Sequence, residues 1–373
     1  MKILHVSLWP IDKNSIGGTE RYVICLASSL DKKGVYNDVA MLSSKKATIN
    51  GVTYIPINIS HSKRLNEYLI KDKFLRSFDE YSLTKLAKDV EKEFDFSKYD
   101  IIHFNSLLFY FCAIDKKRIF TIHDDPSGFE QNWGKGSLKV ISQIIRDDRL
   151  SSTIFVTPSK YYASIYKKAF LKDVVAIPHS INKNFLNARK TNNKNKELTI
   201  FSPSRLELKQ KGQDILVRSL VKIKNSLPRF NVVFAGLDDQ YKPNIKALRK
   251  IKGADKINMS FYKIPMNKMV SFYNKSDLII IPSRYETFGY TALESLCVGK
   301  KTVLSNIPTH KEIAKENSLA FLTKNDPTSL GRTILKAIKT ERKAQANQEW
   351  LKRYSEDKWA NNYIKLYKSC LKK

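Results

Sequence analysis

Short apolar runs alternate with helical stretches along this chain, and that alternation constrains the fold more than any other feature. Residues 2–8 are mostly apolar without strict alternation, as expected of a parallel strand buried on both faces. A Gly17-Gly18 loop and a helical pattern over 19–33 follow. Further apolar runs at 38–42, 52–57, 101–104, 119–122, 154–157 and 174–177 are interleaved with helical stretches that include 62–92 and 159–171. Such alternation folds as a doubly wound α/β domain. Residues 182–197 then turn polar, rich in Asn and Lys, and are expected to form a linker. The alternation restarts at once, with candidate strands at 198–201, 230–235, 257–261, 278–281, 302–304 and 320–322 and helices such as 212–225. A second doubly wound domain is therefore expected.

Length agrees with two domains, since 373 residues exceed one ordinary core at roughly 150 residues per domain. The expected division is 1–181, a linker over 182–197, 198–350, and a terminal helix over 351–373. Two domains imply a cleft between them. No run of about 18 uncharged apolar residues occurs, and residues 1–8 are too short and too soon polar for a signal peptide, so a cytoplasmic protein is expected. Cys25, Cys112, Cys297 and Cys370 lie far apart with no CxxC spacing, which fits reduced thiols; no metal site and no cofactor are expected.

A formal charge of +30 calls for a polyanionic partner: nucleic acid, an anionic membrane surface or an acidic substrate. The excess lies mostly after residue 150, for 27 Lys and Arg face 10 Asp and Glu in 151–300, against 23 and 19 in 1–150. No zinc-ligand spacing, RNP-like aromatic motif or basic-zipper pattern accompanies the charge, so a nucleic-acid-binding protein rests on charge alone. Within 62–78, Lys63, Arg64, Lys71, Lys73 and Arg76 stand among Leu65, Leu69, Phe74 and Leu75. A basic amphipathic stretch of this kind either lies on anionic lipid or forms an ordinary solvated helix.

The densest chemistry falls at 282–295. The run 277–282 is apolar and β-branched, a buried strand, and 290–298 fits a helix, so the motif is strand, turn, helix. A helix N-terminus offers backbone N–H groups and partial positive charge to an anion, and Gly289 lets a ligand approach the backbone. Glu286 in the turn and Glu294 near the helix start stand on the same side of the sheet, placed to accept hydrogen bonds from ligand hydroxyls. The alternative is a capping box, with Thr291 and Glu294 three residues apart merely satisfying the helix start.

This segment resembles the Glu-x7-Glu motif of retaining GT-B glycosyltransferases, specifically the large family 4. Ser204-Arg205 through Lys211-Gly212 is similar to the family's Gly-Arg-x5-Lys-Gly stretch, with Ser204 where the family has glycine. The resemblance implies that Arg205 and Lys211 grip the diphosphate of a nucleotide sugar. Breaking the bond to a diphosphate requires stabilising the charge that develops on it. No Asp-x-Asp metal pair is present, so these cations are the available substitute, and the resemblance implies metal independence. Gly17-Gly18 resembles the family's glycine loop after the first strand. His103 and His123 resemble its strand ends lining the cleft, with His123 matching the histidine beside the transferred sugar. Asp277 and 177–182 echo further landmarks, and 355–367 is similar to the C-terminal helix that crosses back to the first domain.

The resemblance thus implies a GT-B architecture of two Rossmann-like domains and a retaining transferase. Arg205, Lys211, Glu286 and His123 would serve catalysis, and Gly17, Gly18, Phe288, Gly289, Tyr290, Thr291 and Glu294 would help bind the donor. The donor is expected to be UDP- or GDP-linked and the acceptor a glycan, taken to be polyprenyl-linked at the inner membrane face. An epimerase or phosphorylase on the same two-domain plan is the enzymatic rival.

Overall fold

In the computed structural model, which describes residues 1–8, 11, 17–42, 46–57, 79–148, 153–188, 197–236, 239–341 and 348–372, packing divides the chain into two units. One comprises Met1–His179 with Glu356–Lys373, and the other Ser180–Ser355.

The first unit is built on β1 (Lys2–Ser7), β2 (Tyr36–Leu42), β3 (Ala47–Ile49), β4 (Val52–Ile57), β5 (Ile101–Phe104), β6 (Lys117–Thr121), β7 (Ile154–Thr157) and β8 (Val174–Ala176). Their order in the sheet is β3-β4-β2-β1-β5-β6-β7-β8. All ladders are parallel except β3 on β4. Side chains of β1 alternate between two apolar layers, Ile3 joining one and Leu4 and Val6 the other, as the period of a strand demands. Helices cover both layers. The C-terminal helix Glu356–Lys372 contributes Trp359, Tyr363 and Tyr367 to the layer that holds Ile3.

β3 is not among the expected strands. It is a short edge hairpin turned by Asn50 and Gly51, with φ of 53° and 87°. Positive φ at both central residues is what a two-residue hairpin turn needs, and Asn-Gly supplies it most readily.

The second unit carries β9 (Leu198–Ser202), β10 (Phe230–Phe234), β11 (Met259–Phe261), β12 (Leu278–Ile281), β13 (Thr302–Ser305) and β14 (Ala320–Thr323). They form an all-parallel sheet in the order β11-β10-β9-β12-β13-β14. The winding reverses between β9 and β12, which are neighbours paired at Ile200 with Leu278 and Phe201 with Ile279. In an open sheet of this kind ligands bind beyond the carboxyl ends of the strands at that reversal.

Two expected boundaries shift. Lys183–Leu186, within the stretch expected to be a linker, is a helical turn capped by Asn182, and its Phe185 is buried in the second unit's core. Trp350 and Tyr354 belong to the same core, and Trp350 Nε1 donates to the Ile313 carbonyl at 3.0 Å. The return to the first unit therefore starts at Glu356, not at 351. The basic amphipathic stretch 62–78 lies outside the described residues. Among the described residues no helix is long and apolar enough to cross a membrane.

Candidate functional site

Two turns, one after β9 and one after β12, come together at the winding reversal of the second unit. Ser204 and Arg205 follow β9, and the helical turn Leu208–Lys211 leads through Gly212 into helix Gln213–Ile223. Gly212 has φ +66°, and a Cβ there would lie 2.1 Å from the Pro282 carbonyl oxygen. Only glycine allows this approach. Hydrogen bonds fix the junction: Arg284 N donates to Gln210 O at 2.7 Å, and its guanidinium grips both oxygens of Asp214 at 3.0 and 2.8 Å. The buried Gln213 donates to the Arg205 carbonyl at 2.6 Å.

This junction brings Lys211 to Glu286. The ammonium donates to both carboxylate oxygens at 2.9 Å, with 12% and 10% of the two side chains exposed. Ser283 Oγ adds a third bond, to Oε1, at 2.7 Å. Burial pushes the Glu286 carboxyl up, but the charge of Lys211, the neighbouring His310 and the hydrogen bonds from Lys211 and Ser283 together outweigh it and leave it below the usual carboxylate range. Arg205 is more open, with 48% of its side chain exposed and Glu207 at 3.6 Å.

Gly289 ends the turn in the left-handed region, φ +96°, as N-cap of helix Tyr290–Cys297, and makes no side-chain cap bond. Thr291 and Glu294 lie inside that helix, so the capping box is not formed. Glu294 is buried and accepts from Tyr273 Oη at 3.0 Å. Phe288 is buried, its ring 5.2 Å from that of Tyr290 in an edge contact. Asp277 accepts from Thr199 N at 2.8 Å, a bond between β-strand entrances away from these turns.

Ser283, Ser305 and His310 also belong to this network, and no motif in the sequence singles them out. Ser305 Oγ donates to Ser283 O at 2.5 Å, and His310 Nδ1 lies 3.1 Å from both Ser305 O and Ser305 Oγ. A carbonyl only accepts, so Nδ1 carries a proton. Burial holds His310 down to about 4 despite the upward pull of Glu286. A Cβ on Gly289 would sit 3.3 Å from His310 Cδ2. Their common signal is position, for all three lie at or just beyond the carboxyl ends of β12 and β13.

Gly17, Gly18 and His123 lie in the first unit. Gly17 is the N-cap of helix Gly18–Asp31, with φ −67°. His123 follows β6, half-buried, with Nε2 3.3 Å from Asn105 Oδ1 and its ring 4.6 Å from that of Tyr22. Packing around the imidazole drives it down to about 3, so it is neutral near pH 7. His103 is fully enclosed: Nδ1 meets Tyr367 Oη at 2.8 Å and Nε2 meets Thr121 Oγ1 at 2.7 Å.

Residues 16–185 match the model of Glycosyltransferase Family 4, and 184–354 that of Glycosyl transferases group 1. The chain belongs to the family 4 glycosyltransferases. This glycosyltransferase is 22% identical over 316 residues to an uncharacterized 41.2 kDa protein in the cps region of Klebsiella pneumoniae, covering 77% of the chain and 84% of that protein. It is 30% identical over 161 residues to the O-antigen biosynthesis glycosyltransferase WclY of Escherichia coli, 43% of each. Its fold matches that of Anabaena Alr3699/HepE, solved in complex with UDP and glucose. The TM-score is 0.74 at 16% identity over 99% of the chain and 100% of that structure. The two parallel-sheet units are those of the GT-B fold.

Among the described residues, Arg205, Lys211 and the N-terminus of helix Tyr290–Cys297 all lie at the winding reversal of this glycosyltransferase. Among the described residues no group of three or more His, Cys, Asp or Glu is placed to hold a metal ion.

Proposed function

We propose that this glycosyltransferase moves a sugar, with retention, from a nucleoside-diphosphate sugar to a glycan acceptor in surface polysaccharide assembly. The observation that carries the donor side is the junction of the turns after β9 and β12. It presents Arg205, Lys211, the Gly289 helix start and the buried carboxylate of Glu286 at the position where an open parallel sheet takes its ligand. Arg205 and Lys211 neutralise the departing diphosphate, and the amides of Phe288 to Thr291 add backbone donors. Glu286 accepts from donor sugar hydroxyls, and Glu294, held by Tyr273, accepts from the ribose. Charge neutralisation by side chains is the basis for metal independence. His123, neutral at physiological pH, serves as a hydrogen-bond partner for the transferred sugar, and Gly17 and Gly18 allow close approach of the chain to it.

The O-antigen relative and the cps-region relative support polysaccharide assembly, and the UDP complex of the structural neighbour supports a nucleotide donor. A polyprenyl-linked saccharide is the acceptor of this reading, met by a peripheral protein at the cytoplasmic face of the membrane, with the basic composition as its attraction to anionic lipid.

Product analysis tests the reaction. Incubation with nucleotide sugars and polyprenyl-linked acceptor is expected to release nucleoside diphosphate only when acceptor is present, with the anomeric configuration of the donor kept in the product. An altered nucleotide sugar formed without acceptor would favour an epimerase and overturn the assignment.

A further inference from the structure

Lys211 and Glu286 satisfy each other. Both carboxylate oxygens receive the ammonium at 2.9 Å, and little of either side chain is exposed. Ser283 holds the carboxylate in that place at 2.7 Å, and Ser283 is itself fixed through its carbonyl by Ser305 of β13. Splitting such a pair leaves one buried charge without a counter-ion, which is far more costly than separating two surface charges. Arg205 differs, being half exposed and only loosely approached by Glu207 at 3.6 Å. Of the two cations assigned to the diphosphate, one is open to an incoming anion and the other already has one.

Resting on the donor reading above, we propose that Glu286 is a stand-in for the leaving group. It holds Lys211 before the donor binds, yields it to an intact nucleotide sugar, and reclaims it from the nucleoside diphosphate product. The two ligands differ in what they offer the carboxylate. An intact donor brings hydroxyls along with phosphates, so the hydrogen bonds Glu286 loses from Lys211 are replaced by those of the sugar. After transfer the hydroxyls have left with the sugar. The carboxylate then faces a phosphate of like charge across Lys211 and competes with it for the ammonium. Glu286 thereby weakens product binding more than donor binding and hastens release of the nucleotide.

Calorimetric titration of UDP, GDP, ADP and dTDP into the wild type, Glu286→Gln, Lys211→Met and the double variant tests this. Glu286→Gln is expected to bind the preferred diphosphate about tenfold more tightly than wild type, since Lys211 loses its competing anion. Lys211→Met is expected to bind more weakly, and Glu286→Gln is expected to lose most of its gain in the Lys211→Met background. If Glu286→Gln does not fold, Glu286→Asp keeps the charge but retracts it from Lys211, and a smaller gain in diphosphate affinity is expected. Binding that is unchanged or weaker in both Glu286 variants, with Lys211→Met impaired, overturns the stand-in role and leaves the donor site intact. No binding of any of the four diphosphates to wild type overturns the donor site and this role with it.

Discussion

At the scale of single residues the site depends on a few positions that tolerate no other side chain. Gly212 is the sharpest case, since its φ of +66° acts together with the Pro282 carbonyl oxygen, which would stand 2.1 Å from any Cβ at that position. For an L-residue the left-handed conformation alone costs about 1–2 kcal/mol. The steric conflict adds to this and drives the two turns apart, carrying Lys211 away from Glu286. Gly212→Ala is therefore expected to lower the thermal midpoint and to reduce kcat/KM more than the stability loss explains; an unaltered kcat/KM would show that the junction does not set the site. Arg205, Lys211, Glu286 and Glu294 are picked out in the sequence by the resemblance of 204–212 and 286–294 to the family's motifs, and of these the structure pairs Lys211 with Glu286. Ser283, Ser305 and His310 are not, because what they touch depends on β12 and β13 being neighbours, which no local spacing encodes. Spacing likewise leaves open whether Thr291 and Glu294 form a capping box; the start of the helix at Gly289 removes that box and leaves Glu294 buried against Tyr273.

At the scale of elements, strands declare themselves because a parallel strand buried on both faces is an unbroken apolar run, as in Leu278–Ile281, buried throughout. β3 does not, because only three residues pair, and its signal is the Asn50-Gly51 turn and not a run. The expected linker is too long for a related reason: its Asn and Lys content masks one aromatic, Phe185, that suffices to seat a helical turn. The C-terminal helix is tied into the first unit by polar bonds as well as by apolar packing. Tyr22 Oη donates to Tyr363 Oη at 2.7 Å, and Tyr367 Oη meets His103 Nδ1 at 2.8 Å, all within a buried layer. Tyr367→Phe strands the imidazole nitrogen with no partner of its own, and such a loss costs about 1–3 kcal/mol. Chemical denaturation is expected to show that loss with the slope unchanged; equal stability would mean that the bond contributes nothing.

At the scale of the whole molecule, four of the six histidines, His5, His103, His123 and His179, are gathered in the first unit and held neutral. His5 is fully buried with no hydrogen-bond partner on either ring nitrogen, and burial pushes it down to about 3. A pKa depressed on folding means that protons bind the unfolded chain first. The stabilisation is therefore complete above the unfolded value of about 6.5 and is lost as pH falls from there toward 3. Between pH 7 and pH 5 His5 alone accounts for a loss on the order of 2 kcal/mol. Urea midpoints across that range are expected to fall steeply with acid, and a flat profile would contradict a neutral buried cluster. In the second unit, the cations and helix start after β9 and β12 are proposed to receive a nucleotide sugar without a divalent ion. The most direct test of that proposal is a thermal-shift titration of nucleoside diphosphate sugars in excess EDTA, comparing wild type with Lys211→Ala. A matched donor at a hundred times its Kd is expected to stabilise the wild type by about 2.7 kcal/mol. The variant, folded but lacking the ammonium, is expected to need a far higher concentration for the same shift. Stabilisation that requires a divalent ion, or that is equal in the two proteins, would rule out metal-free donor binding through Lys211.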